Sequence, residues 1–224
     1  MWVSLNEIER VSLKAARGAG YGWSLAGEAS AAVRWLAMRG LPFLQPLVVG
    51  VLGQMHRLES FDSAHRIGSS VGPSHGSRRL GPISVLTALS DEVLTLPKGS
   101  EELSLRAIAA PVLLLPVMSR LSRRYDRPLF VRWPGVAIEC RNGGLDAGAA
   151  SREGLNAALA DWFMVSRLPA AVAIAELEAN VRHQGCDVDE TLWHELEGFA
   201  NRTYVREGET SRLAGAGAGL SDRD

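Results

Sequence analysis

Cysteine is scarce in this chain, and the metal-binding patterns built on cysteine or histidine are missing. The 224 residues include two cysteines, Cys140 and Cys186, which are far apart and form no CxxC pair. Neither a zinc site nor a disulfide framework is therefore indicated, and a reduced, cytoplasmic setting fits best. The five histidines form no HxH or HExxH pattern, so we expect no metal and no cofactor.

The chain also lacks a long apolar run and an excess of either charge. The longest apolar stretch, 107–118, has twelve residues and contains Pro111 and Pro116, so it is too short to cross a bilayer. Lys and Arg number 24 and Asp and Glu number 25, which argues against bulk binding to nucleic acid or to an anionic membrane. We expect a soluble protein whose partner is another protein, in a homo- or hetero-oligomer.

Hydrophobic residues, in contrast, are plentiful. They make up 46% of the chain, enough for a sizeable core. We predict one domain with appendages, divided into an N-terminal helical region (1–55), a polar loop (56–80), an α+β core (81–203) and a Gly/Ala-rich tail (204–224).

Residues 3–40 have the pattern of a helical hairpin. Ser4 and Glu7 form a capping box at the start of the first helix, and Ser24 is positioned to cap the second. Apolar residues of the second helix recur at helical spacing, and Gly40 with Pro42 ends it. The next apolar segment, 43–55, contains Pro46 and Gly50 and is predicted to be a kinked helix.

The following part of the chain has mixed signals. Strands are predicted at 83–89, 92–96 and 103–108, and a helix at 111–125, where a proline begins an apolar periodic segment. Strands at 129–133 and 136–140 flank Pro134 and Gly135, which is typical of a hairpin.

The last part is predicted to be a small-residue link at 145–158, a strand at 162–165, a helix at 171–183 and a final helix capped by Asp189. The fold class is therefore α+β, with an N-terminal helical hairpin and a C-terminal helix around an antiparallel or mixed sheet.

Four short motifs carry a resemblance to a known family. They are SLNEIE at 4–9, KAARGAG at 14–20, RTYV at 202–205 and SRLAGAG at 211–217. With these motifs the chain resembles, over nearly its whole length, a family of bacterial proteins known only as a domain of unknown function. The resemblance implies a bacterial cytoplasmic protein, and it transfers no activity.

Segment 66–79 has the composition of an anion site. Its glycines and serines can direct N–H and hydroxyl groups at a phosphate or carboxylate, and its arginines supply charge. The candidate residues are Arg66, Ser74, His75, Arg78 and Arg79. No GxxxxGK[ST] or GxGxxG motif accompanies them, and the alternative is a mobile polar loop.

Arginines also cluster near residue 120. On a helix, Arg120, Arg123, Arg124 and Arg127 share one side by the i, i+3, i+4, i+7 rule, with Arg132 close behind. They could dock an acidic partner or substrate. The alternative is the solvated side of an amphipathic helix.

The tail 204–224 could also bind a partner. Tyr204 offers an aromatic anchor, Ser211 and Arg212 offer polar contacts, and the glycines that follow allow close backbone approach. The alternative is a frayed end, because ordering costs roughly 1 kcal/mol or more per residue.

The sequence names no catalytic residue. Cys140 and Cys186 would be nucleophiles only if a histidine and positive surroundings lowered the thiol pKa, and buried cysteine is the better interpretation. The leading hypothesis is a non-catalytic subunit or accessory protein of a metabolic enzyme complex. The alternative is a small-molecule enzyme whose anionic substrate is bound by segment 66–79 and the tail.

Overall fold

A computed structural model describes residues 1–96, 101–167 and 184–203 of the chain. Helices are joined by short irregular segments, and a π-helical turn at Pro46–Val51 continues into a 3-10 helix at Leu52–Arg57. The helices are α1 (Leu5–Gly18), α2 (Trp23–Met38), α3 (Pro82–Ser90), α4 (Leu115–Arg124), the single turn α5 (Arg152–Leu155) and α6 (Glu190–Asn201).

Eleven strands lie in the described residues. They are β1 (Trp2–Ser4), β2 (Leu58–Glu59), β3 (His65–Ile67), β4 (Ser70–Gly72), β5 (Arg79–Leu80), β6 (Leu103–Ala109), β7 (Leu129–Trp133), β8 (Val136–Arg141), β9 (Gly144–Ala150), β10 (Leu159–Ser166) and β11 (Gly185–Asp187). The large sheet has the order β2-β5-β6-β10-β7-β8-β9, with β4 also on β6 and β3 on β4. β1 and β11 form a separate antiparallel pair.

The large sheet is mixed. β2 is parallel to β5, and both β5 and β4 are parallel to β6. The neighbouring pairs β6-β10, β10-β7, β7-β8 and β8-β9 are antiparallel. Helix α4 packs on β7 and β8, and α2 packs on α3 and α4. Helix α1 lies between α2 and α6. The buried apolar residues form a continuous core from Val3 to Ala200.

The N-terminal helical hairpin is confirmed, with two corrections. The Ser4 hydroxyl accepts a hydrogen bond from the Glu7 N–H at 3.2 Å, as the capping pattern predicts. The cap expected of Ser24 is wrong, because Gly22 is the N-cap and the helix already begins at Trp23. Residues Val3 and Ser4, expected to open the hairpin, pair instead with β11.

Two predicted strands are wrong. Segment 83–89 lies in helix α3, whose start is set by Gly81 and Pro82 and whose residues are buried on most sides. A helix buried all round shows no apolar periodicity that would distinguish it from a buried strand. Residues 91–94 form turns, with Glu92 at φ +60°, and 92–96 is not a strand.

Two segments expected to lack strands contain them. Segment 56–80, predicted to be a loop, carries β2 to β5, each of two or three residues. The link predicted at 145–158 contains most of β9 and all of α5. These strands are short or rich in Gly and Ala, so their intrinsic strand propensity is low.

The remaining secondary-structure predictions agree with the structure. The strands at 103–108 and 162–165 and the hairpin at 129–140 are confirmed as β6, β10 and the β7–β8 pair. The kinked segment 43–55, the helix at 111–125 and the Asp189 cap are also present, although 111–114 is 3-10 helical. The fold class is α+β, as predicted.

Some predictions fall on other residues. The helix predicted at 171–183 and the tail 204–224, with Tyr204, Ser211 and Arg212, lie outside the described residues. The domain boundaries stay a prediction. Within the described ranges, no helix is both long and apolar enough to pass through a bilayer.

Candidate functional site: an arginine-lined groove

A groove of about 310 Å³ lies between α2, α3, α4 and the turn that joins β8 to β9. We call it the arginine groove, because Arg39, Arg120 and Arg123 line it. The acidic residue on its lining is Glu28. Two of the arginines singled out by their helical spacing, Arg120 and Arg123, therefore line the same groove as Arg39 at the end of α2.

Arg39 is held at the end of α2. Its guanidinium stacks on the Trp35 ring at 3.7 Å from the ring centroid, and Nη2 donates to the Gly143 carbonyl at 3.4 Å. The second terminal nitrogen, Nη1, is buried and has no hydrogen-bond partner among the described residues. Burial lowers the pKa of the Arg39 guanidinium from its usual value. The groove thus contains a partly desolvated cation with an unused donor.

Arg123 approaches the same turn from the last turn of α4. A Cβ placed on Gly143 would lie 3.3 Å from Cδ and 3.7 Å from Nε of Arg123, so the side chain lies directly against this glycine. No ion pair joins Arg123 to a carboxylate within residues 1–96, 101–167 and 184–203. Arg39 and Arg123 therefore converge on Gly143 without a neutralising group between them.

Arg120 differs from Arg123, because its guanidinium has both an ion-pair partner and a hydrogen-bond partner within the protein. Its Nη2 lies 3.8 Å from Glu28 Oε2 and donates to the Ser90 hydroxyl at 2.5 Å. Glu28 thus offsets one of the three positive charges. The positive charge that remains in the arginine groove belongs to Arg39 and Arg123.

Ser119 adds a neutral polar group. Its side chain lines the groove and is 1% exposed, and its hydroxyl has no hydrogen-bond partner among the described residues. A buried hydroxyl without a partner costs free energy, so such groups are usually satisfied by a ligand or by water. Two of the residues that line the groove, Arg39 and Ser119, thus have a buried polar atom without a hydrogen-bond partner among the described residues.

The other arginines of the predicted cluster lie outside the groove. Arg124 pairs with Glu92 at 2.9 Å, and Arg132 lies on β7 and pairs with Glu102 at 2.7 Å. Arg127 was expected to share the helix face, but α4 ends at Arg124 and the chain turns through Asp126 at φ +48°. The four arginines therefore do not form one helical face, and this expectation was wrong.

Segment 66–79 binds a carboxylate of its own chain. The Ser74 N–H donates to Glu59 Oε1 at 2.8 Å, and the Glu59 side chain is buried, with 3% of its surface exposed. Burial raises the pKa of this carboxyl, but hydrogen bonds from Ser74 and the neighbouring His75 outweigh burial and hold the pKa below its usual value. The backbone N–H of Ser74 is thus already occupied by a carboxylate of the same chain, that of Glu59.

The other anion-site candidates are spread along the same segment. Arg66 lies on β3, where its Nε donates to the Gly68 carbonyl at 3.3 Å. His75 and Arg78 are exposed, and Arg79 lies on β5. An external ligand at these residues stays a prediction.

The two cysteines are buried and are not joined to each other. Burial, reinforced by the charge of Glu139, raises the pKa of the Cys140 thiol far above its usual value, so this thiol is neutral and unsuited to nucleophilic attack. Among the described residues, no three His, Cys, Asp or Glu side chains are grouped so that they could hold a metal ion.

Sequence reasoning missed Arg39, Ser119 and Gly143. Arg39 and Ser119 carry no local signal, since the residues they meet are distant in the chain. Gly143 does have one, because Asn142-Gly143 is the dipeptide favoured in two-residue hairpin turns, and both residues adopt positive φ here. Arg39 and Arg123 both contact this turn at Gly143.

A comparison with family models identifies similarity at the N-terminus. The model for the family described as "Protein of unknown function (DUF3726)" matches residues 3–51. This confirms the resemblance to a family of unknown function over α1, α2 and the start of the kinked segment, which include the SLNEIE and KAARGAG motifs. The match does not extend to the motifs after residue 200. No curated protein and no solved structure gives a significant match to the chain.

Proposed function

We propose that this protein is a non-catalytic accessory subunit of a bacterial, cytoplasmic metabolic enzyme complex, and that its arginine groove binds an anionic metabolite. One observation carries the proposal: Arg39 and Arg123 both contact Gly143, and neither forms an ion pair with a carboxylate among the described residues. An anion bound in the groove would pair with both positive charges.

The chemistry of the groove favours binding over catalysis. Arginine stays protonated at physiological pH, so Arg39, Arg120 and Arg123 can hold an anion but cannot exchange protons with it. The carboxylate of Glu28 lies beside Arg120, and in the part of the chain that the structure describes no base is hydrogen-bonded to the Ser119 hydroxyl. Such a groove can bind and position a charged group, and this supports the non-catalytic part of the proposal.

The binding part of the proposal is tested by titration of the full chain with acetate, sulfate and inorganic phosphate. The readout is the indole N–H signal of Trp35, which lines the groove. At least one anion should shift this signal saturably. Arg123→Gln should weaken binding about tenfold or more, the value of a hydrogen bond to a charged group. Arg127→Gln, an equally exposed arginine outside the groove, should leave it unchanged.

The subunit part of the proposal is tested separately. A tagged copy expressed from its own locus should co-purify with an enzyme at a fixed stoichiometry, and the isolated chain should turn over no substrate of that enzyme. Turnover by the isolated chain would overturn the non-catalytic assignment. Absence of any anion whose binding depends on Arg123 would overturn the assignment of the groove.

A further inference from the structure

We propose that the ligand of the arginine groove is a carboxylic acid with a short apolar body, and not a phosphorylated or inorganic anion. This inference rests on the proposed function and identifies the class of ligand. It is carried by the contrast between the two kinds of surface on the groove lining, the apolar residues and the arginines.

Much of the groove is apolar. Its lining includes Ala31, Ala32, Met38, Leu86 and Pro116, in addition to the Trp35 ring. An inorganic anion is surrounded by water or polar groups and gains nothing from such a surface. A hydrocarbon body gains the free energy of removing its own surface and that of the groove from water.

The polar end suits a carboxylate. The guanidinium group is planar and presents paired N–H donors that match the two oxygens of a carboxylate. Arg39 Nη1 is an unused donor of this kind, and the buried Ser119 hydroxyl is a second unused polar atom. A carboxylate in the groove would pair with the charges of Arg39 and Arg123, which line it.

The groove lacks the main device for phosphate binding in the part of the chain that the structure describes. Phosphate sites commonly use free backbone N–H groups at a helix N-terminus or in a glycine-rich nest. The residue from the start of α4 that lines the groove is Pro116, which has no N–H. Met38 and Arg123, from the C-terminal ends of α2 and α4, also line the groove, and carbonyls at helix C-termini disfavour a dianion more than a monoanion.

The size of the groove also limits the ligand. Small-molecule sites usually measure about 300 to 1,000 Å³, and the arginine groove has a volume of about 310 Å³. It therefore fits a small acid better than a nucleotide or a coenzyme.

Four probes test the inference on the full chain by isothermal titration calorimetry. They are acetate, hexanoate, hexanamide and butyl phosphate, which vary the apolar body and the head group separately. Hexanoate should bind tightest. Affinity should rise from acetate to hexanoate by up to about fourfold for each buried methylene. Hexanamide should bind at least about tenfold more weakly, because its neutral head group cannot form an ion pair with the arginines.

Two variants connect hexanoate binding to the groove. Arg123→Gln should weaken hexanoate binding about tenfold or more, whereas Arg127→Gln should not change it.

The failures of the two proposals are distinguishable. Butyl phosphate binding more tightly than hexanoate, or acetate binding as tightly as hexanoate, would overturn the carboxylic-acid assignment and leave the groove as an anion site. Absence of Arg123-dependent binding by any anion would overturn both.

Discussion

The guanidinium of Arg39 donates a hydrogen bond to the backbone carbonyl of Gly143 at 3.4 Å, across 104 residues of the chain. Arg39 is the residue at which α2 ends, and Gly143 lies in the turn between β8 and β9. The contact therefore joins the helical layer to the edge of the large sheet. The arginine groove depends on the tertiary packing of these two parts.

Gly143→Ala should damage both the turn and the groove. Gly143 has φ +83°, and an added Cβ would press on Arg123 at 3.3 Å. We expect a loss of about 1 kcal/mol or more in the free energy of unfolding, because alanine at positive φ is strained. Anion affinity at the groove should fall as well, and urea unfolding with an anion titration measures the two effects.

The matched control for that variant is Gly68→Ala. Gly68 also has positive φ, at +57°, but an added Cβ there meets nothing within 4 Å. Its variant should lose stability through the backbone alone and keep the anion affinity of the wild type. Equal affinities for the Gly143 and Gly68 variants would show that the Arg123 position does not matter for binding.

Gly18→Ala should separate α1 from α6. A Cβ on Gly18 would lie 1.9 Å from the Phe199 carbonyl oxygen, a backbone atom that cannot move without shifting the whole helix. We expect a loss of about 1–3 kcal/mol, the usual range for overpacking. Gly27→Ala on α2 has open space around its Cβ. It should raise stability by up to about 1 kcal/mol through helix propensity. A stable Gly18→Ala protein would refute the close α1–α6 contact.

Ser4→Ala should lower the free energy of unfolding by about 1 kcal/mol, because it removes the hydroxyl that caps α1. Ser24→Ala should be neutral or slightly stabilising, since Ser24 lies inside α2 and Gly22 is its N-cap. Chemical denaturation of the pair measures the difference. A larger loss of unfolding free energy from Ser24→Ala than from Ser4→Ala would favour Ser24 as the N-cap of α2, as the sequence predicted.

Glu59→Gln should destabilise the protein in a pH-dependent way. The folded protein holds the pKa of Glu59 below its usual value, so the ionised carboxylate stabilises the fold above the ordinary glutamate pKa of about 4.3. This stabilisation is lost as the pH falls through the lowered pKa. At pH 7 we expect Glu59→Gln to cost about 1–3 kcal/mol through the weakened hydrogen bonds.

The expected signature is a difference between wild type and Glu59→Gln that narrows as the pH falls below about 4. Glu101→Gln serves as the control, because this carboxylate is exposed. A difference that is constant from pH 7 to pH 3 would mean that the charge of Glu59 does not stabilise segment 73–76.

Local signals predicted the parts of the fold that depend on neighbouring residues. The β7–β8 hairpin follows from two apolar segments around Pro134 and Gly135, and Gly135 indeed has φ +78°. The Asp189 cap is equally local, since its side chain accepts from the Leu192 N–H at 2.9 Å. Each of these needs only a few consecutive residues.

Prediction was weaker where burial or low propensity removes the local signal. Helix α3 is apolar on most sides, so its sequence is consistent with either a helix or a buried strand. Strand β9 is built mainly from Gly and Ala, and its place at the edge of the sheet follows from pairing with β8. That pairing is set by the Asn142-Gly143 turn, which the sequence contained.

The residues of the candidate site also divide into those that a local sequence signal indicates and those that it does not. Arg120 and Arg123 were identified because they are three residues apart on one helix. Arg39 could not be identified from the sequence, because none of the residues next to it in the chain indicates that it will lie near Arg123. The ion pairs of Arg120 and Arg124 with Glu28 and Glu92 also join separate segments, and they decide which arginines keep a free charge.

The seating of α1 on α6 has a consequence for synthesis on the ribosome. Val3 pairs with Cys186, the Leu5 N–H donates to the Gln184 carbonyl at 2.9 Å, and Gly18 lies against Phe199. Helix α1 therefore cannot complete its packing until α6 has been synthesised. At about 5–20 residues per second, that delay is roughly 10–40 s. During that time the apolar surface of α1 that will meet α6 is open to chaperones and to neighbouring nascent chains.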